Sequence, residues 1–414
     1  MKTRLLRPWM LLAFLLPLEA LAAESPAAPK VEPALTPDQT LLARIKALPD
    51  NTWMKLPPPK VIGDLDWLPR DDWKRTGGPM ARDYSNKMAW MPDRKRAIYA
   101  AGGHNADKTN DVWEYDLASN TWICLYGADE PAQGKTPEWI KDHLVLKDGV
   151  LQTLRGAPAR LTHSFNWNYD SFRRLAFMTE GGRGAAFVDH SVVAKGLGLT
   201  DAELAAKWKP GPYILTFDPY ARKWGFVTEN VVGCQEACSA AYIPELKSWW
   251  VHSRQSAGMY DLDRKINKPL SMKNSGGGYE CLTAYDSDTK TVVEVHRAEE
   301  NKPNRTFTYA VDTDTWKTAQ DNAPAGAACP QGYFDYDSHG KKCVLYTTQF
   351  KPCYWIYDVT ANAWTPIETT GDIPKDGPPC PIAGRYLGYY DQERDVLVHY
   401  NGYVVFVCRL KKPD

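Results

Sequence analysis

Residues 89–122 read Ala89-Trp90-Met91-Pro92-Asp93, then Arg96-Ala97-Ile98-Tyr99-Ala100-Ala101-Gly102-Gly103. Next come Asp111-Val112-Trp113-Glu114-Tyr115-Asp116 and a close on Ser119-Asn120-Thr121-Trp122. These are four short runs of β-branched, aromatic and alternating residues, each bounded by turn formers. The pattern recurs down the chain. A second unit holds Asn168-Tyr169-Asp170, Leu175 to Thr179, Gly181-Gly182, Ile214 to Asp218 and Trp224. A third, divergent unit holds Glu245, Trp249-Trp250-Val251-His252 and Met259-Tyr260-Asp261, with no closing Trp. A fourth gives Tyr285-Asp286, Val292 to His296, Tyr309 to Asp312 and Trp316. A fifth gives Tyr336-Asp337, Val344 to Thr348, Trp355 to Asp358 and Trp364. The last gives Tyr390-Asp391, Val396 to His399 and Val404 to Leu410. Trp316 and Trp364 are 48 residues apart, and Asp337 and Asp391 are 54 apart. A four-strand unit with a period near fifty is the signature of a propeller blade.

The final unit lacks a fourth strand. Asn51-Thr52-Trp53 repeats Asn120-Thr121-Trp122, so residues 51–56 are expected to supply that outer strand and close the ring. The fold class expected is all-β, a six-bladed propeller. A seventh blade would have to come from residues 126–159. Insertions at 126–159 and 184–211 break the period in the second unit. The first holds a helical stretch at Pro137–Leu144 and a hairpin about Lys147-Asp148-Gly149. The second holds a helix starting at the capping box Thr200-Asp201-Ala202-Glu203. Insertions of this size commonly shape a site.

The Gly pairs at 102–103 and 181–182, the Tyr-Asp pairs at 115–116, 260–261 and 357–358, and the closing Trp residues resemble the kelch-repeat β-propellers. These include the catalytic domain of the galactose-oxidase family. The resemblance spans roughly residues 50–412 and implies the fold. It leaves function open between enzymes and binding platforms.

The chain has 414 residues, enough for one large all-β domain or two smaller ones, with 16 Trp, 22 Tyr and 11 Phe. Lys+Arg and Asp+Glu are 50 each, so no charge excess points to nucleic acid or an anionic membrane as partner. Lys2, Arg4 and Arg7 precede the apolar run Met10–Leu18 and the small-x-small site Ala20-Leu21-Ala22, the layout of a cleaved signal peptide over 1–22. Removal leaves 47 basic and 49 acidic residues. Residues 23–49 read as a leader with one short helix at Thr40–Leu48. The protein is expected to be secreted or periplasmic and monomeric. Nine Cys, at 124, 234, 238, 281, 329, 343, 353, 380 and 408, leave at least one unpaired by disulfides. Cys234 and Cys238 would lie about 13 Å apart in a strand and could bridge only across a turn.

In a meandering blade, the start of the innermost strand and the end of the second strand share one face of the ring. Starts carry Arg82 and Tyr84, Arg160 and His163, Glu236, Tyr279 and Glu280, Gln331 and Tyr333, and Arg385 and Tyr386. Ends carry His104, Arg183, His252 and Arg254, His296 and Arg297, Lys351, and His399 with Tyr400 and Asn401. Five of the eight His fall on this face; His143, His190 and His339 do not. His252, His296 and His399 share one register. Their plain reading is packing between blades, but Arg and Tyr accompany them.

This set suits an acidic glycan. A uronate lyase needs a cation to neutralise the carboxylate, a base for the C5 proton and an acid for the leaving oxygen. Arg matches the carboxylate fork, and His and Tyr suit proton transfer. The composition is similar to that of secreted propeller polysaccharide lyases. On that reading His163 is the base, Tyr279 the acid, and Arg160 with Arg385 the carboxylate clamp. Arg82, Tyr84, His104, Arg183, His252, Arg254, His296, Tyr333 and His399 bind substrate. No cofactor is expected. A non-enzymatic propeller binding a glycan or protein is the alternative. A metal-dependent oxidase is a further one. Galactose-oxidase-like enzymes hold copper with two His and two Tyr, one cross-linked to Cys, and Tyr279-Glu280-Cys281 supplies such types. Their third domain, which donates a ligand, has no room here. A metal among His104, His252, His296 and His399 is a further expectation that ring geometry disfavours. Trp67, Trp73 and Trp139 lie outside the repeat and read as loop anchors rather than sugar platforms. Asn304-Arg305-Thr306 is a glycosylation sequon for a eukaryotic secretory pathway. No phosphate-binding loop, nucleotide fingerprint or nucleophile elbow is present.

Overall fold

The computed structural model describes residues 35–65, 79, 87–100, 110–129, 134–159, 161, 167–180, 189–209, 211, 213–235, 238–279, 281–296, 304–320, 323–324, 332–347, 354–374, 387–401 and 404–411. The signal segment, both Gly pairs, Trp67, Trp73, Cys329, Cys353 and Cys380 lie outside them. Six antiparallel sheets form six blades. Blade 1 runs Ala89–Met91, Arg96–Ala100, Val112–Asp116 and Thr121–Tyr126 from the axis outward. Blade 2 is Asn168–Asp170, Leu175–Glu180, Tyr213–Asp218 and Lys223–Val227. Blade 3 is Ser239–Ile243, Ser248–His252, Ala257–Asp261 and Ile266–Leu270. Blade 4 is Leu282–Asp286, Thr291–His296, Arg305–Ala310 and Thr315–Gln320. Blade 5 is Gly332–Asp337, Lys342–Thr347, Tyr354–Asp358 and Ala363–Ile367. Blade 6 takes Leu387–Asp391, Val396–Tyr400 and Val405–Arg409 from the C-terminal part of the chain. Its outer strand, Thr52–Lys55, pairs antiparallel with Val405–Arg409, Trp53 facing Cys408. The ring is therefore closed by an N-terminal strand. A further strand, Lys60–Gly63, runs parallel to Thr121–Tyr126 and widens blade 1. The repeat did not reveal it.

The Asp residues that end these strands, in the Tyr-Asp pairs and at Phe217-Asp218, explain why the turns form where they do. Asp218 accepts from the backbone N of Tyr220 and Ala221, Asp286 from Asp288 and Thr289, and Asp358 from Thr360 and Ala361. A carboxylate that satisfies two turn amides replaces ladder bonds with a local turn. Four residues after each such Asp the chain enters the left-handed region, at Arg222 (φ 55°), Lys290 (51°) and Asn362 (49°). In the third strands the Tyr acts again. Tyr115, Tyr309 and Tyr357 donate to the side chains of Asn120 (2.7 Å), Asp314 (2.9 Å) and Asn362 (2.6 Å). The closing Trp then packs on the same rings, 4.8 Å for Tyr115–Trp122 and for Tyr357–Trp364.

Blades are locked to each other by a second use of tyrosine. Tyr169 of blade 2 donates to Asp93 in the first turn of blade 1 (3.0 Å). Tyr285 donates likewise to Glu245 of blade 3, and Tyr336 to Asp288 of blade 4. At this turn face a cavity of about 230 Å³ opens on the axis, with Lys87 spanning from Thr283 O (3.3 Å) to Asp335 (3.4 Å).

Residues 126–159 contribute a helix and a two-stranded hairpin, not a blade, so the blade number is six. Helix α1 is Gln39–Lys46, α2 Pro137–His143, α3 His190–Gly196 and α4 Asp201–Lys207. The two insertions share one small core of Ile140, Leu144, Leu151, Val193, Leu204 and Trp208. α4 carries the full capping box. α3, which no sequence signal marked, crosses α2 so closely that a Cβ on Gly196 would stand 2.6 Å from Ile140 Cβ. α1 buries Leu41 and Ile45 in the core shared with blades 1 and 6. Arg409 donates to the carbonyls of Ile45 (2.8 Å) and Leu48 (3.0 Å) at its end. No helix of the described residues is long and apolar enough to cross a membrane.

Candidate functional site

Blades 3 and 4 meet in a buried charge cluster. His252 and His296 each end the second strand of their blade. Glu294 lies two residues before His296, so both point to one side of the strand. Its carboxylate accepts from His252 Nδ1 (2.9 and 3.1 Å to its two oxygens) and from His296 Nε2 (3.0 Å). Glu294 and His252 are fully buried and His296 is 8% exposed. Burial alone would push the Glu294 carboxyl up. The electrostatic pull and hydrogen bonds of His252 and His296 override it and hold the carboxyl well below the usual carboxylate range. Trp316 lies 4.6 Å from the His252 ring and Phe307 4.2 Å from His296.

The cover is a run of three glycines. A Cβ on Gly276 would stand 2.3 Å from Phe307 Cζ and 2.7 Å from His296 Cε1. One on Gly278 would stand 2.7 Å from His252 Nδ1. Only glycine lets this backbone lie on the imidazoles. Gly278 N donates to Ser253 O and Ser239 N to Gly278 O, both at 3.0 Å, so the segment is laced to blade 3. His252 Nε2 is buried and has no hydrogen-bond partner among the described residues. A buried polar atom in that condition beside a charge cluster marks a candidate functional site.

Outside this cover the chemistry reaches solvent. Arg254 is exposed, and its guanidinium carbon sits 3.6 Å from the Tyr279 ring centroid. Tyr279 is half-buried and pairs with Cys238 as a single β-bridge. The structure thus brings Tyr279, Arg254, His252 and His296 together and adds Glu294 and Gly276–Gly278, which the sequence reading did not select. Glu294 was legible only as Glu294-Val295-His296. Nothing in one strand announces that a histidine of the next blade completes it.

Three expected substrate contacts are placed differently, His252 being closed off under Gly278. Tyr333 is fully buried: its hydroxyl donates to Val398 O (3.1 Å), and its ring fills the space over Gly388. His399 is also fully buried, 4.7 Å from Tyr346 and 6.3 Å from Trp53. Both are packing between blades 5 and 6, because large rings there meet rings from the facing blade. His163, Arg160, Arg385, Arg82, Tyr84, His104 and Arg183 lie outside the described residues. Asn304 is corrected as a glycosylation acceptor. Its amide is buried and donates to Pro324 O (2.7 Å). Trp139 stacks on His143 at 4.3 Å within the insertion core, an anchoring role. Among the described residues no group of three or more His, Cys, Asp or Glu is placed to hold a metal.

His399 makes a pH prediction. Burial pulls its imidazole down to about 3. The folded state thus resists a charge that the unfolded state accepts near pH 6.5. Its stabilisation is complete above pH 6.5 and is lost as pH falls toward 3, at about 1.4 kcal/mol per unit. Urea midpoints of the protein should fall through this window, and those of His399→Phe should fall less steeply. Equal slopes would refute it.

A second concave surface lies where the insertion hairpin faces the outer strand of blade 2. This groove of about 480 Å³ is lined by Lys147, Gln152, Arg155, Lys223, Trp224 and Phe226, among others. Arg155 is tied to Asp64 (3.1 Å) and Asp129 (3.2 Å) and lies over Tyr126.

The kelch motif family matches residues 95–125. No curated protein matches the sequence. An auxiliary nutrient-binding protein of Bacteroides thetaiotaomicron is similar in structure over 79% of this chain and 69% of its own, at 11% identity and TM-score 0.44. A gluconolactonase of Xanthomonas campestris is similar over 80% of this chain and 87% of its own, at 11% identity and TM-score 0.43. A chain of a mitotic checkpoint complex covers 97% of this chain and 99% of its own, at 11% identity and TM-score 0.43.

Proposed function

We propose that this six-bladed kelch-repeat propeller is a secreted or periplasmic protein that binds an acidic glycan at the mouth between blades 3 and 4 and cleaves it by β-elimination. The observation that carries the reading is the exposed Arg254 stacked on Tyr279 above the buried His252–Glu294–His296 cluster. A guanidinium paired with a uronate carboxylate withdraws charge from C5 and acidifies its proton. Tyr279 is the acid for the leaving oxygen. The buried cluster fixes the floor under it through Gly278, which directly precedes Tyr279 and lies against His252. His163 as base, with Arg160 and Arg385 on the carboxylate, completes the proposal.

The test is ultraviolet absorbance of the unsaturated uronate during incubation with a panel of uronate polysaccharides. A rising signal on one polysaccharide is expected. Tyr279→Phe and Arg254→Ala should each lower that rate by about 100-fold or more with the fold intact. A flat signal from folded protein overturns the lyase. Retained activity in both variants overturns the site.

A second reading, glycan binding without chemistry, is favoured by the groove on blade 2. Its lysines and Trp224 supply charge and a ring face without an acid–base pair. It predicts saturable retention of an acidic glycan with no product.

A further inference from the structure

Cys234 and Cys238 stand just before the innermost strand of blade 3, and the glycan reading does not use them. They are 5% and 1% exposed, in a core shared by blades 2 and 3 with Phe177, Trp249 and Tyr260. In a strand these two positions would be about 13 Å apart. Here the chain turns instead. Gly233 takes φ 88°, and Cys234 N donates to Val231 O (3.0 Å). The turn brings Cys238 back against the start of its own segment. Gln235 N donates to Cys238 Sγ at 3.5 Å, and Thr179 donates to Cys238 O at 3.2 Å. Two cysteines in one core across a tight turn need little backbone movement to bond.

We propose that Cys234 and Cys238 form a disulfide when the chain folds under oxidising conditions. The oxidant is an external disulfide, either a small molecule such as oxidised glutathione or the active-site disulfide of a thiol oxidase. One cysteine thiolate attacks it, giving a mixed disulfide and releasing one thiol. The second cysteine thiolate then attacks the protein sulfur of that bond and releases the other thiol. Two protein thiols are oxidised, one external disulfide is reduced to two thiols, and the two protons go with them. Because both sulfurs are buried in the fold, the exchange precedes their burial.

Burial pushes the Cys238 thiol up, but the hydrogen bonds from Cys234, Gln235 and Thr179 bring it below its ordinary value. The other described cysteines, Cys124, Cys281, Cys343 and Cys408, are buried on other strands or loops. Among the described cysteines Cys281 is the competitor, and its thiol donates to Tyr279 O at 3.2 Å. The bond has a structural consequence. Cys238 bridges Tyr279, and Ser239 holds Gly278. The staple therefore fixes the glycine cover over His252 and His296.

The experiment uses the full chain refolded in a glutathione redox buffer, then alkylated unfolded without reduction and digested with trypsin. Both cysteines fall in one peptide, residues 224–247. The expected peptide is unalkylated and lighter by two hydrogens, and reductant restores two alkylation sites. Hydrogen exchange at the Ser239 and Gly278 amides should quicken several-fold after reduction or in the Cys234→Ser/Cys238→Ser variant. Two alkylated cysteines in the folded, oxidised protein overturn the proposal. So does a Cys238–Cys281 link. Neither readout depends on glycan or turnover, so the outcome stands apart from the lyase reading.

Discussion

Glu294→Ala is expected to lower the unfolding free energy by about 3–5 kcal/mol, because one partner of a buried, hydrogen-bonded charge cluster is removed. Two imidazoles then lose the acceptor that satisfies them, inside walls of Trp316 and Phe307 that admit little water. Glu294→Gln keeps the volume and an acceptor oxygen and should cost less. The same residue sets an acid limit. Its carboxyl is depressed in the folded state, so its stabilisation is present above the ordinary glutamate value of about 4.3 and is lost as pH falls below it. Urea denaturation at pH 7 measures the first effect, and a comparison of pH 5 with pH 3 measures the second. The protein should lose stability between them, and Glu294→Gln should lose less below about pH 4.3. The His399 contribution begins higher, near pH 6.5, so the two windows are distinguishable. A Glu294→Ala protein as stable as the parent would show that the cluster is solvated and would remove the floor from the proposed site.

Trp53→Ala should be as costly, about 3–5 kcal/mol, as for any fully buried indole. The position makes it worse than its homologues in the repeat. Trp53 is 1% exposed, 5.1 Å from Tyr346 of blade 5, on the strand that joins the two parts of the chain in blade 6. Trp364, in a blade built from consecutive strands, loses only its packing when truncated. Truncating Trp53 also weakens the pairing that closes the ring, where loop-closure entropy is greatest. Calorimetry should show a larger drop in melting temperature for Trp53→Ala than for Trp364→Ala, whose ring is half-buried. Equal drops would mean that closure rests on the backbone ladder alone.

The propeller was legible because its determinants are local and repeated. A Tyr-Asp pair carries its turn within five residues, and a closing Trp finds its Tyr partner within the same hairpin. Even the closing strand was legible, since Asn51-Thr52-Trp53 copies Asn120-Thr121-Trp122. The extra strand Lys60–Gly63 and helix α3 were not, because neither belongs to the period and α3 is held by its crossing with α2. The site was legible only in part. Strand ends selected His252, His296, Arg254 and Tyr279, which the fold does assemble, with both histidines buried, and also Tyr333 and His399, which it packs between blades 5 and 6.

The sequence by itself determined the architecture, the four meandering strands of each blade and the strand ends that carry His252, His296 and His399. Each of these follows from the period-two pattern and from turns that a single carboxylate can close. Only the tertiary structure decided which of those residues meet. Glu294 reaches His252 across the seam between two blades, and the separation of neighbouring blades is set by packed rings and glycines. Gly278 reads as a loop residue until His252 is seen lying where its side chain would be. Charge neutralisation and burial in this protein are relations between blades, and no single stretch of chain contains them.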